Sequence, residues 1–168
     1  MKKLFALLAL SLSLLASTCT SPARAQDRSW PEYTLGSRTH PFGIGVLQQL
    51  LNARGYRVRM DSDFGAQTRA ALLRFQKAHD LEATGTSTGE TWEALLVRVR
   101  RGSHGQAVRA VQDMLSLLDF KTKTDSVFGA GTERVLKSFQ QARGLTVDGV
   151  AGPETWSALV MESATKYE

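Results

Sequence analysis

Asp61–His79 reads DSDFGAQTRAALLRFQKAH, and Asp125–Arg143 reads DSVFGAGTERVLKSFQQAR. The shift of 64 positions that superimposes them also brings Gln48 onto Gln112, Leu81 onto Leu145, Gly85 onto Gly149 and Thr91-Trp92 onto Thr155-Trp156. No gap is needed from His40 to Leu95, and 20 of these 56 aligned pairs are identical. Identity that dense marks duplication of a whole structural unit of about 60 residues.

Each unit has the apolar spacing of helices. Ile44, Leu47, Leu50 and Leu51 recur at helical intervals, answered by Val108, Val111, Met114 and Leu115, and Gly55-Tyr56 stands where a helix would end. A second helix is expected from about Ala66 to His79, with Ala71, Leu72, Phe75 and Ala78 on its core face and Val135, Leu136, Phe139 and Ala142 in the other copy. A short third helix carries Trp92, Leu95 and Leu96, matched by Trp156, Leu159 and Val160. GAQT at Gly65 and GPET at Gly152 read as one device: glycine caps, and Pro153 suits the first helical position because its missing N–H would be unpaired there anyway. In the first copy Thr88 supplies a hydroxyl cap. The expected fold is all-α, two tandem three-helix bundles.

Outside the repeats, Lys2-Lys3, the apolar run from Leu4 to about Ala16 and the Ala23-Arg24-Ala25 motif predict a signal peptide over 1–25 and an exported product. Cys19 falls inside that leader, and Thr18 before it fits a lipid-attachment site poorly. The remaining expectations are an N-terminal segment at 26–38, a first repeat at 39–97, a linker at 98–102, a second repeat at 103–162 and a tail at 163–168. No stretch is long and apolar enough to span a membrane. The whole chain carries a formal charge of +5. Without Lys2, Lys3 and Arg24, 18 basic residues face 16 acidic ones, which gives nucleic-acid binding no support.

Catalytic and metal chemistry find little footing. Asp61 and Asp63 resemble a paired-carboxylate site, but the second copy has Asp125 with Val127. A turn role for Asp-Ser fits both copies. Counted as a calcium loop, the stretch places Gly65, not an oxygen ligand, at position five and Leu72 at twelve. His40, His79 and His104 lack zinc-ligand spacing. No catalytic residue, metal or cofactor is expected. Phe64, Phe75, Trp92, Phe128, Phe139 and Trp156 read as core, while the polar fringe, Asp61, Ser62 and Gln76 with Asp125, Ser126 and Gln140, either closes turns or faces a ligand. Arg69 and Arg74 could pair with carboxylates. Arg98, Arg100 and Arg101 read as a solvated linker.

The combination of the aliphatic-Gln pair, Gly-Tyr, Asp-Ser-x-Phe-Gly-x-x-Thr, Phe-Gln and Thr-Trp closely resembles the bacterial peptidoglycan-binding domain of three-helix type. The resemblance implies that peptidoglycan, through its glycan strand or peptide stem, is the partner, with a cell-wall hydrolase as an alternative partner to recruit or mask. The second copy keeps VDGVAGPETW at Val147–Trp156, whereas the first has ATGTSTGETW, with Thr84 for Asp148 and Gly89 for Pro153. That difference adds Asp148 to the candidate ligand-binding residues and favours the second copy. Two grips on one polymer would raise avidity by about 10²–10⁴ if both can engage.

Overall fold

The computed structural model describes residues 30–38 and 40–166. The expected signal sequence and Cys19 lie outside them. Helices α1 (Pro41–Ala53), α2 (Ala66–Ala78) and α3 (Gly89–Leu95) build the first unit, and α4 (Gln106–Leu117), α5 (Ala130–Ala142) and α6 (Pro153–Thr165) the second. The architecture is all-α, as the periodicity predicts. Among the described residues the only β pairing is two isolated bridges, Val99 with Ala151 and His104 with Val127.

Equivalent helices end by equivalent chemistry. After α1, Gly55 turns left-handed (φ 86°) and the Tyr56 N–H closes on the Leu51 carbonyl at 2.9 Å. After α4, Asp119 takes the same conformation (φ 68°) and the Phe120 N–H closes on Leu115 at 2.8 Å. This is the turn that satisfies the orphan carbonyls of a helix end. Asp119-Phe120 therefore replaces Gly-Tyr without losing it. The aromatic that follows lands edge-on against the core, Tyr56 on Phe75 and Phe120 on Phe139, with centroids 5.4 Å apart in both units.

Phe64, Phe75, Trp92, Phe139 and Trp156 are fully buried, and Phe128 nearly so. Ala78 and Ala142, expected on the core face, are exposed. The chain reverses immediately after them, at left-handed Asp80 and Gly144, and the Leu81 and Leu145 N–H groups close on Gln76 and Gln140. The glutamines, not the alanines, occupy the inner face of that last turn.

The units are not separate beads. α1 packs against α4, α6 reaches both, and the buried apolar residues form one continuous cluster. Arg54, just past α1, donates to the carbonyls of Ala94, Leu95 and Leu96 and so caps the end of α3. The expected 98–102 linker and the described part of the N-terminal segment, from Trp30 on, are both held against the units. The Trp156 indole donates to the Val97 carbonyl at 2.8 Å, and Val99 exchanges backbone bonds with Ala151. In the first unit the Trp92 indole donates to the Pro31 carbonyl at 2.7 Å, and Tyr33 pairs with Ser87. Trp30 stacks on Trp92 at 5.9 Å. Each unit thus opens with an extended strap across its third helix. The 98–102 segment belongs to the second unit's strap, and residues 32–36 are its counterpart. At the other end α6 continues to Thr165 with Ser163 buried, so the expected tail at 163–168 begins as helix.

Candidate functional site

The candidate residues sit on one device that occurs four times. At the Asp125 corner, Gln112 reaches from α4 and its Nε2 donates to Asp125 Oδ1 (3.0 Å), the Val127 carbonyl (3.0 Å) and Thr132 Oγ1 (3.2 Å). Its Oε1 accepts the Ser126 N–H at 2.9 Å. Gln48 makes the same set at the Asp61 corner, to Asp61 (2.8 Å), the Asp63 carbonyl (3.0 Å) and Thr68 (3.2 Å), and accepts from Ser62 N–H (3.0 Å). Gln140, from α5, brackets Asp148 (2.8 Å), the Val150 carbonyl (3.1 Å), Thr155 (3.1 Å) and the Gly149 N–H (2.9 Å). Gln76 does so for the Thr86 carbonyl (2.9 Å), Thr91 (3.0 Å) and Gly85 N–H (2.9 Å), with Thr84 Oγ1 at 3.4 Å where the others have a carboxylate.

Each bracket fixes a corner whose second residue is left-handed: Ser62 (φ 57°), Gly85 (71°), Ser126 (64°) and Gly149 (73°). A helix follows at once, capped by Gly65, Thr88, Gly129 or Gly152. The Thr88 hydroxyl caps α3 as the sequence suggests. The repeated GAQT and GPET are the audible part of this pattern. The partner glutamines were harder to read, because Gln48 and Gln112 act from helices well upstream of their corners.

The site residues therefore divide. Asp61 and Ser62 stand with Gln48, and Asp125 and Ser126 with Gln112. Gln76 belongs to the Thr84 corner rather than to Asp61, and Gln140 to Asp148. Gln76 and Gln140 have no exposed surface and their amides are spent inside the fold. Asp61, Asp125 and Asp148 are exposed, while Ser62 and Ser126 are half-buried.

The three carboxyls are held below the usual aspartate range. For Asp61 the Gln48 amide is the main cause, followed by the Asp63 N–H. For Asp125 it is the Val127 N–H, then Gln112. Burial acts most strongly on Asp148, upward, but the Val150 N–H and the Gln140 amide together outweigh it. All three present acceptors at neutral pH, which suits ligand binding and not proton donation.

Beside Asp125 lies a groove of about 390 Å³, lined by Lys121, Lys123, Val127, Gly131 and Arg134. In the first unit Gln67 accepts the Arg59 N–H at 3.2 Å. Gly131 stands at that position in the second unit and has no side chain to lay there. The groove sets cations against one carboxylate, and Val127 adds an apolar surface, 54% exposed. A second cleft, about 670 Å³, runs along the strap with Arg98, Arg100 and Arg101. Among the described residues no group of His, Cys, Asp and Glu is placed to hold a metal, and no helix is long and apolar enough to cross a membrane.

The two three-helix units repeat one arrangement, an ionised corner bracketed by a buried glutamine, with a cationic groove beside the second unit's Asp125. The chain belongs to the family described as "Putative peptidoglycan binding domain", which matches it twice, at residues 43–95 and 104–159. A spore cortex-lytic enzyme of Bacillus cereus is 45% identical over 71 residues, covering 42% of this chain and 27% of that protein. The N-acetylmuramoyl-L-alanine amidase CwlL of Bacillus licheniformis is 27% identical over 114 residues, 66% of this chain and 28% of the amidase. Among solved structures, a peptidoglycan-binding protein from Clostridioides difficile in complex with glutamine hydroxamate is 40% identical with a TM-score of 0.40, covering 40% of this chain and 42% of that one. The chain thus spans about a quarter of the length of these curated relatives.

Proposed function

We propose that this chain is an exported, non-catalytic protein that holds bacterial cell-wall peptidoglycan through its two units. The observation that carries the reading is the groove at the Asp125 corner, which offers cations, an apolar wall and ionised acceptors to a polymer bearing carboxylates, methyls, amides and hydroxyls. Asp61, Ser62, Asp125, Ser126 and Asp148 are the surface residues that would meet it. Gln76 and Gln140 shape the corners from beneath. Because α1 and α4 are packed together, both grips sit at fixed spacing. Avidity then depends on whether the polymer presents its repeats at that spacing.

Co-sedimentation of the purified chain with insoluble sacculi tests this. Retention in the pellet at physiological salt is expected, and a chain left in the supernatant at low and physiological salt ends the reading. Replacing Lys121, Lys123 and Arg134 together by Glu should reduce retention while leaving the helical spectrum unchanged. The longer lytic relatives favour one alternative, that the units recruit or mask a hydrolase. A single envelope protein captured by the chain, without sacculus binding, would establish it.

A further inference from the structure

The units differ in how they finish the segment that leads into the first Asp corner. In the first unit Gln67 lays its side chain against that segment, and its Oε1 accepts the Arg59 N–H at 3.2 Å. At the 64-residue shift Gln67 becomes Gly131 and Arg59 becomes Lys123. The Lys123 N–H makes no hydrogen bond among the described residues. A Cβ added to Gly131 would meet nothing within 4 Å, so the place that Gln67 fills in the first unit stands open in the second.

The groups around that opening are unspent. Lys121, Lys123 and Arg134 line the groove and are exposed, and none of them forms an ion pair among the described residues. Asp125 uses Oδ1 for both of its bonds, to the Gln112 amide and the Val127 N–H at 3.0 Å each, and its Oδ2 accepts nothing among the described residues. Exposed Val127 and half-buried Val135 supply apolar surface. Three cations stand against one carboxylate, so the groove as a whole favours an anion. The backbone donor and the Oδ2 acceptor add direction to that preference.

We propose that this groove binds the free C-terminal carboxylate of a short peptide whose last residue has a small apolar side chain, a ligand oxygen replacing Gln67 Oε1 on the backbone donor. Lys121, Lys123 and Arg134 answer the charge, and bonds to an ionised acceptor are the strong ones. A backbone N–H set among cations is a recurrent way to capture a chain end. The last amide N–H of the peptide donates to Asp125 Oδ2, and the terminal side chain packs on Val127 and Val135. A peptide stem ends in such a carboxylate, so the inference deepens the wall-binding reading and rests on it for its natural ligand. It assigns the stem, and not the glycan, to the second unit. The first unit, with Gln67 already on the Arg59 N–H, has no such opening.

The test is an amide-resolved NMR titration of the full chain with Nα,Nε-diacetyl-L-lysyl-D-alanyl-D-alanine, against its C-terminal amide, which lacks the charge, and against an N-acetylglucosamine tetramer as the glycan probe. Shifts centred on residues 121–135, led by the Lys123 amide, are expected with the acid, and binding of the C-terminal amide should be roughly tenfold or more weaker. Equal binding of acid and amide, shifts centred elsewhere, or a groove that responds to the glycan and not to the peptide would overturn the site. Gly131→Gln gives the second unit the first unit's side chain and replaces a helical glycine by a better helix former. It should abolish the shifts without lowering the melting temperature. Arg134→Gln removes one cation from an exposed helical position, gives an independent check and should weaken binding. Peptide binding without sacculus retention would sink the wall reading and keep the site. Sacculus retention equal in wild type and Gly131→Gln, with a silent peptide titration, would do the reverse.

Discussion

Gln49 and Asp113 hold the same position in the two units and are bonded to each other, Gln49 Nε2 to Asp113 Oδ2 at 2.8 Å. Contact between equivalent residues is the mark of a two-fold interface, as in symmetric dimers. Here the partners are joined in one chain, with α1 against α4. Val46 on α1 and Ala110 on α4, which hold the same position in the two units, are both buried. Unfolding should therefore be a single transition. Residue-resolved NMR of the unaltered chain reads the units separately, and the amides of α2 and α5 should give the same urea midpoint. Two midpoints would show that the junction does not couple the units.

The brackets make unequal demands on their glutamines. Gln140→Leu would leave the Gly149 N–H and the Thr155 hydroxyl without their buried partner. Each unsatisfied buried group costs about 1–3 kcal/mol, so a loss of roughly 2–6 kcal/mol is expected in urea denaturation. The Thr84 corner points the opposite way. Its hydroxyl lies 3.4 Å from Gln76 Nε2, where Asp148 Oδ1 lies 2.8 Å from Gln140. Thr84→Asp, by restoring a charge-assisted acceptor, should stabilise the first unit by about 1 kcal/mol.

Acid should find the Asp corners first. Asp61 is lowered chiefly by the Gln48 amide, and Asp125 chiefly by the Val127 N–H. A carboxyl whose folded pKa lies below its unfolded value contributes fully above the unfolded value, about 3.9, and loses that contribution as pH falls through the folded value. The urea midpoint should hold from neutral pH to about pH 4.5 and fall below pH 4. An Asp61→Asn, Asp125→Asn variant keeps an oxygen at each corner but loses the charge. It should be less stable at pH 7 and show a shallower acid limb.

Much of this was legible because helices announce themselves through period. The apolar stripes, the glycine caps and the Thr88 cap all follow from local chemistry, and the unbroken register from His40 to Leu95 carried the duplication. Other features depended on contacts the period does not encode. Gln48 and Gln112 sit on helical faces that read simply as buried, and only the fold brings them to corners 13 residues downstream. The straps were masked by a two-residue insertion. Gly36-Ser37 answers Gly102-Ser103 at a shift of 66, and in both copies the Ser Oγ accepts the N–H three residues upstream, Thr34 and Arg100. That repeated Gly-Ser pair was the available signal. The aspartates stand out by charge, whereas the cavity of about 140 Å³ beside Gly45, walled by Phe42, Val46 and Met60, reflects only a side chain that one copy lacks, Gly45 standing where the other has Arg109.

Tyr33 offers the sharpest test of the first strap. Its ring is buried and meets Trp92 edge-on at 6.3 Å, yet its hydroxyl has no partner among the described residues. Burial pushes its pKa up to about 12. The neutral phenol is the form the fold tolerates, so stability is intact below the unfolded pKa of about 10 and is lost as pH rises toward the folded value. Tyr33→Phe removes an unpaired polar group at no cost in shape. It should leave stability unchanged or raise it by up to about 1 kcal/mol at pH 7, and move the onset of alkaline unfolding upward. Gly43 supplies the matching constraint, since a Cβ there would stand 1.9 Å from the Tyr33 hydroxyl oxygen and 2.8 Å from Cζ. Gly43→Ala should therefore destabilise the chain, and less so when Tyr33→Phe is also present. Equal losses in both backgrounds would mean that the tyrosine hydroxyl does not set the spacing between strap and α1.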